Sequence, residues 1–106
     1  MAVTAQVSSS PKPKKKYQVI IRNKDGDVLK TVHFGDKRYG DFTTHGSDKR
    51  KESYLARHEP GQDWSINGVT TAGFWSRWLL WNKSSLRKSI KDLNRRFHKQ
   101  MKINLK

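Results

Sequence analysis

Four histidines, His33, His45, His58 and His98, and the acids between them are the residues best suited to proton transfer or metal binding. From Asp41 to His58 the chain offers Asp41, His45, Asp48, Glu52 and His58. Imidazoles and carboxylates in such company could hold a divalent cation, or serve as acid and base on a phosphodiester. The spacing argues against it. There is no His-Glu-x-x-His pair, glycine-rich phosphate loop or nucleophile elbow, and His45 and His58 fall in different predicted elements. These groups read as structural polar residues. No catalytic or metal-ligating residue is assigned, no cofactor is expected, and a metal-dependent nuclease is a distant third reading.

The chemistry that stands out is cationic. Lysine and arginine total 23 against nine acids, a formal net charge of +14 on 106 residues. The excess sits at the two ends. Lys12, Lys14, Lys15 and Lys16 form a run without acids, and the segment from Trp64 onward has ten basic residues against Asp92 alone. Such localised fields attract polyanions, with nucleic acid the commonest partner. The candidate phosphate-binding residues are those four lysines; Arg77 and Lys83 around a tryptophan cluster; and Arg87, Lys88, Lys91, Arg95, Lys99 and Lys102 near the C-terminus. Pro11-Lys12-Pro13-Lys14-Lys15-Lys16 also fits a nuclear-localisation-like address or a plain solubilising tail. No base-reading module is recognisable, so double-stranded DNA would be gripped through its phosphates without regard to sequence. Arg50, Tyr54 and Arg57 share one predicted helix flank, either as a phosphate and stacking surface or as an ordinary solvated face.

The elements that must position these groups suggest an α+β fold, an N-terminal β-hairpin packed on about three helices. Residues 1–16 read as a basic disordered tail, because the Ser-Pro-Lys stretch cannot pack and its lysines repel one another; residues 17–106 form the single domain. Tyr17, Val19 and Ile21 alternate with polar or outward positions, and Asp25-Gly26 suits a two-residue type I′ turn. That turn opposes Tyr17 to Phe34, Val19 to Val32 and Ile21 to Lys30. A turn-rich stretch follows, pinned by Tyr39 and Phe42. Ser47 caps a helix over Asp48–His58, closed by Glu59-Pro60-Gly61. Trp64 and Ile66 anchor the next loop.

Three of the four tryptophans lie within the segment from Thr71, a plausible N-cap, to Asn82. At about 100° per residue, Phe74, Trp78 and Trp81 share one side and suit the core. Trp75 and Leu79 point about a quarter-turn away, open to burial or to a partner, and are the candidates for partner contact. The last helix, capped by Ser84 or Ser85, carries Leu86, Ile90, Leu93, Phe97 and Met101 within about 80° of its wheel, with the cations opposite.

The absence of cysteine excludes disulfides and thiolate metal sites, and no apolar run approaches the roughly 20 residues of a membrane span. The first ten residues do not form a hydrophobic signal segment, so an intracellular or intraparticle setting is expected.

The order Val32-His33-Phe34-Gly35, Asp41-Phe42-Thr43-x-His45 and Arg50-Lys51-x-x-x-Tyr54-x-x-Arg57-His58 resembles a family of small basic proteins of large double-stranded DNA (giant) viruses of eukaryotes. The segment Thr71-Ala72-Gly73-Phe74-Trp75-Ser76-Arg77-Trp78-Leu79-Leu80-Trp81-Asn82-Lys83 carries the most specific part of this likeness, which spans about residues 17–90. The resemblance implies a setting, the virion or the viral factory or nucleus of the host cell, and supplies no catalytic residues. In that setting the expected role is a non-enzymatic, virion-associated nucleic-acid-binding structural protein. The alternative is a minor capsid protein that cements capsomers, with capsid proteins as partners of its aromatic patch and basic ends.

Overall fold

Alternate buried residues mark four strands, in a computed structural model that describes residues 3–106. They are β1 (Val3–Ser9), β2 (Lys15–Arg22), β3 (Val28–Asp36) and β4 (Met101–Leu105), arranged in the order β3-β2-β1-β4. β1 runs antiparallel to β2 and parallel to β4. Between β3 and β4 come α1 (Phe42–His45), α2 (Asp48–His58), α3 (Ala72–Trp75), a π-helical segment (Ser76–Leu80) and α4 (Leu86–Arg96). The fold is therefore α+β, and the core lies between one face of the sheet and the α3–α4 layer. Val7, Val19, Ile21 and Phe34 from the sheet meet Phe74, Trp75, Leu79, Leu80 and Leu93 there.

The hairpin register is as the alternation requires, with Tyr17 opposite Phe34, Val19 opposite Val32 and Ile21 opposite Lys30. The tip differs. A bulge between Ile21 and Arg22 pairs Arg22 with Val28, and only Gly26, at φ 89°, adopts positive φ, so this is not a type I′ turn. The Asn23 carboxamide organises it instead, its Oδ1 accepting from the backbone N–H groups of Asp25 and Asp27 at 2.9 and 3.0 Å. The α2 boundaries and its Ser47 cap are as expected, the hydroxyl accepting from Arg50 N–H.

Three larger expectations are also overturned. The first is the disordered tail over 1–16, of which Met1 and Ala2 lie outside the described residues. Val3, Ala5 and Val7 are buried, alternating with Thr4, Gln6 and Ser8, and β1 occupies an interior position in the sheet. Only the connection from Ser10 to Lys14 remains a polar turn. The domain therefore begins no later than Val3.

Secondly, Trp75 and Leu79 are fully buried rather than turned to a partner, while Trp78 and Trp81 are only half-buried. The cause is local geometry. After α3 the chain widens into a π turn, closed by Trp81 N–H donating to Ser76 C=O at 3.1 Å. With i→i+5 bonding, side chains four and five apart share a side. Phe74, Trp75, Leu79 and Leu80 consequently face the sheet together, and a wheel drawn at 100° misplaces them. Leu80 reaches so near β3 that a Cβ on Gly35 (φ 80°) would stand 2.8 Å from its Cδ1.

Lastly, the final helix stops at Arg96. Phe97 closes α4 through a backbone bond to Leu93, and Met101 and Ile103 are buried as alternate residues of β4. Asn94 ties helix to strand. Its carboxamide donates to Ile103 C=O at 2.9 Å and accepts from Ile103 N–H at 2.7 Å.

Candidate nucleic-acid interface

α4 presents cations outward because its other face is pinned. Ser85 caps it, accepting from Lys88 N–H at 3.2 Å, and Ile90 and Leu93 enter the core. Asp92 is buried beside them and accepts from Asn82 Nδ2, Arg95 and Arg96 at 2.8, 2.6 and 2.7 Å. Burial opposes charge on this carboxyl, but those three hydrogen bonds outweigh it and hold Asp92 well below the usual carboxylate range. Arg87, Lys88 and Lys91 are exposed, and none forms an ion pair with a described residue. A groove of about 300 Å³ lined by Arg87, Ile90, Lys91, Asn94 and Leu105 runs between α4 and β4. Lys102 alternates outward on β4, Lys99 lies in the preceding turn, and Lys83 is exposed before α4. Lys99 and Lys102 thus extend the basic surface from outside the helix.

A second basic surface forms at the β1–β2 turn. Lys12 and Lys14 are exposed, Lys15 is half-buried, and Lys37 N–H bonds to Lys14 C=O, bringing the end of β3 alongside. Lys106 N–H donates to Val7 C=O, so the last residue comes to this same end of the sheet. His33 shares a hydrogen bond with Ser10 Oγ at 2.8 Å. Burial first, then Lys12 and Lys15, lower its pKa.

Three predicted phosphate ligands are already engaged. Lys16 pairs with buried Asp41, and Arg95 with Asp92 while remaining largely exposed. Arg77 lies over the Trp64 and Trp78 rings at 5.3 and 4.4 Å and donates to Trp81 C=O at 2.9 Å. Burial, then the neighbouring Arg96, lower its pKa. Arg77 therefore braces the tryptophan segment.

A cleft with no signature in the sequence lies between α2 and the end of β3. One cavity of about 490 Å³ includes Lys15, Lys16, Phe34, Tyr39, Tyr54, Arg57 and His58 in its lining; another, of about 580 Å³, includes Tyr39, His45, Lys49, Arg50 and Arg57. Tyr54 stacks on Trp81 at 4.3 Å with 5° between planes and meets His58 at 4.2 Å, so its ring is held among its neighbours at the floor of the cleft. Tyr39, expected to pin its loop, is instead 65% exposed. The set Arg50, Tyr54 and Arg57 does line this cleft, with Tyr54 mostly buried. Asp41, which reads as a potential proton carrier, caps α1 and accepts from Thr43 N–H at 2.8 Å.

Together these features define a two-layer α+β protein with basic surfaces and a cation-lined aromatic cleft. The chain belongs to the family described as "Family of unknown function (DUF5754)", which it matches over residues 5–58. That span takes in most of β1 and all of β2, β3, α1 and α2, and ends before the tryptophan segment. Comparison with curated proteins and with solved structures gave no match.

Proposed function

We propose that the protein is a non-enzymatic, nucleic-acid-binding structural protein that grips DNA phosphates without reading sequence. The observation that carries this is the set of exposed cations on α4, Arg87, Lys88 and Lys91, which make no ion pair with a described residue. Three unpaired positive groups within five residues of one exposed helix make a local positive field suited to a polyphosphate. Lys12 and Lys14 on the β1–β2 turn add a second point of attachment. Sequence-independent, salt-dependent affinity follows, because each neutralised phosphate releases condensed counterions. A virion or viral factory is the proposed setting, where such a protein would compact or line the genome.

Trp75 and Leu79 belong to the core and so offer nothing to the alternative of a capsid cement. The test is the triple variant R87E/K88E/K91E. It should keep the circular dichroism and melting temperature of the native protein while its affinity for random duplex DNA at moderate salt falls at least a hundredfold. Undiminished duplex affinity in a folded triple variant contradicts the proposal.

A further inference from the structure

We infer that the cleft between α2 and the β3 end of the sheet binds unpaired nucleotides of single-stranded nucleic acid, one base stacking on Tyr39 while adjoining phosphates meet Arg57, Arg50 and Lys49. The inference deepens the proposed function and rests on it.

The two cavities share Tyr39, Gly40, Arg57 and Trp81, so they adjoin at these residues as parts of one groove. Each is in the size range of sites that take small ligands, and together they can accommodate more than one nucleotide. Their lining alternates aromatic surface with cations, the pattern that tracks a single strand: rings for the bases, positive charge for the backbone.

The charge balance favours an anion. The two carboxylates in the lining are each taken by a cation of the chain, Asp36 by Arg38 and Asp41 by Lys16. Arg57, Arg50 and Lys49 make no ion pair with a described residue, so their charge is left facing the groove.

Tyr39 supplies the second, independent sign. A ring 65% exposed does little for the core, and its neighbours in the chain are Arg38, whose guanidinium carbon lies 5.4 Å from the ring centroid, and side-chain-free Gly40. The guanidinium lies over one face of this exposed ring, which leaves the other face as a platform for a base to stack on. The occupant must carry an accessible base, which a duplex keeps inside its stack. A phosphate-only ligand would leave the exposed Tyr39 ring unused.

The experiment measures affinity for a labelled single-stranded oligonucleotide and for a blunt duplex of equal length, at one salt concentration. In Tyr39→Ala, single-strand affinity should fall about tenfold, the scale of one lost base–aromatic stack, while duplex affinity is unchanged. Tyr39→Phe, which keeps the ring, should retain single-strand affinity. Exposure of Tyr39 means that neither change disturbs the core, which circular dichroism verifies. Unchanged single-strand affinity in Tyr39→Ala, or an equal fall on both ligands, overturns the inference; duplex binding that is lost in R87E/K88E/K91E would leave the proposed function standing. Absence of binding to either ligand by the native protein overturns both.

Discussion

Asn82 donates its carboxamide N–H to the Asp92 carboxylate at 2.8 Å, and both residues are buried. This bond ties the end of the tryptophan segment to the middle of α4, and Lys51 reinforces it by donating to Asn82 C=O at 2.7 Å. Removing the carboxylate strands Asn82 without its acceptor and leaves Arg95 and Arg96 unpaired. Asp92→Ala should therefore destabilise the domain by about 2–4 kcal/mol, read from urea unfolding. Since Arg87, Lys88 and Lys91 ride on the helix so anchored, the variant should also weaken DNA binding at temperatures near its lowered melting point.

The same pair sets an acid limit. The folded-state pKa of Asp92 lies below its ordinary value of 3.8. A depressed carboxylate stabilises the native state above the unfolded pKa, and that stability is lost as pH falls through the folded one. Melting temperature should accordingly hold from neutrality to about pH 5 and decline below about pH 4. Asp92→Asn, already less stable at neutral pH, should show a shallower decline over that window in thermal scans monitored by circular dichroism.

Burial separates the tryptophans. Trp75 is 0% exposed, packs at 6.5 Å from Phe34 and donates its indole N–H to Val69 C=O at 2.7 Å. Trp75→Ala should cost about 3–5 kcal/mol and Leu79→Ala about 2–5 kcal/mol, whereas half-buried Trp81→Ala should cost less than Trp75→Ala. Chemical denaturation midpoints at constant slope give the comparison.

Deleting residues 1–9 distinguishes an interior strand from a tail. Without β1, β2 and β4 lose their common neighbour, and the core loses Val3, Ala5 and Val7. The truncated chain should lack dispersed amide resonances in a proton NMR spectrum; a native-like spectrum would contradict the sheet order.

Much of this architecture is legible in the sequence where periodicity and punctuation agree. The Tyr17–Phe34 register follows from alternation, and the Ser47, Thr71 and Ser85 caps from hydroxyls before helical runs. β1 escapes notice because Val3, Ala5 and Val7 are small, and the adjacent lysine run dominates the composition. β4 is masked by coincidence, since Met101 extends the four-residue spacing of α4 while also beginning the alternation Met101, Ile103, Leu105. The burial of Trp75 and Leu79 rests on a π turn, for which period-3.6 patterning has no signal. The cleft depends on tertiary placement. Tyr39 and Arg57 are eighteen positions apart, and only the tertiary fold brings them to one groove.

Salt-titrated binding to random duplex DNA tests the central claim most directly. Each phosphate neutralised contributes about 0.9 to the slope of log K against log salt. The native protein should show a steep negative slope, and R87A/K88A/K91A should reduce its magnitude by about 2–3 while remaining folded. A flat salt dependence, or a slope that the triple substitution leaves unchanged, would contradict a phosphate-gripping role for α4.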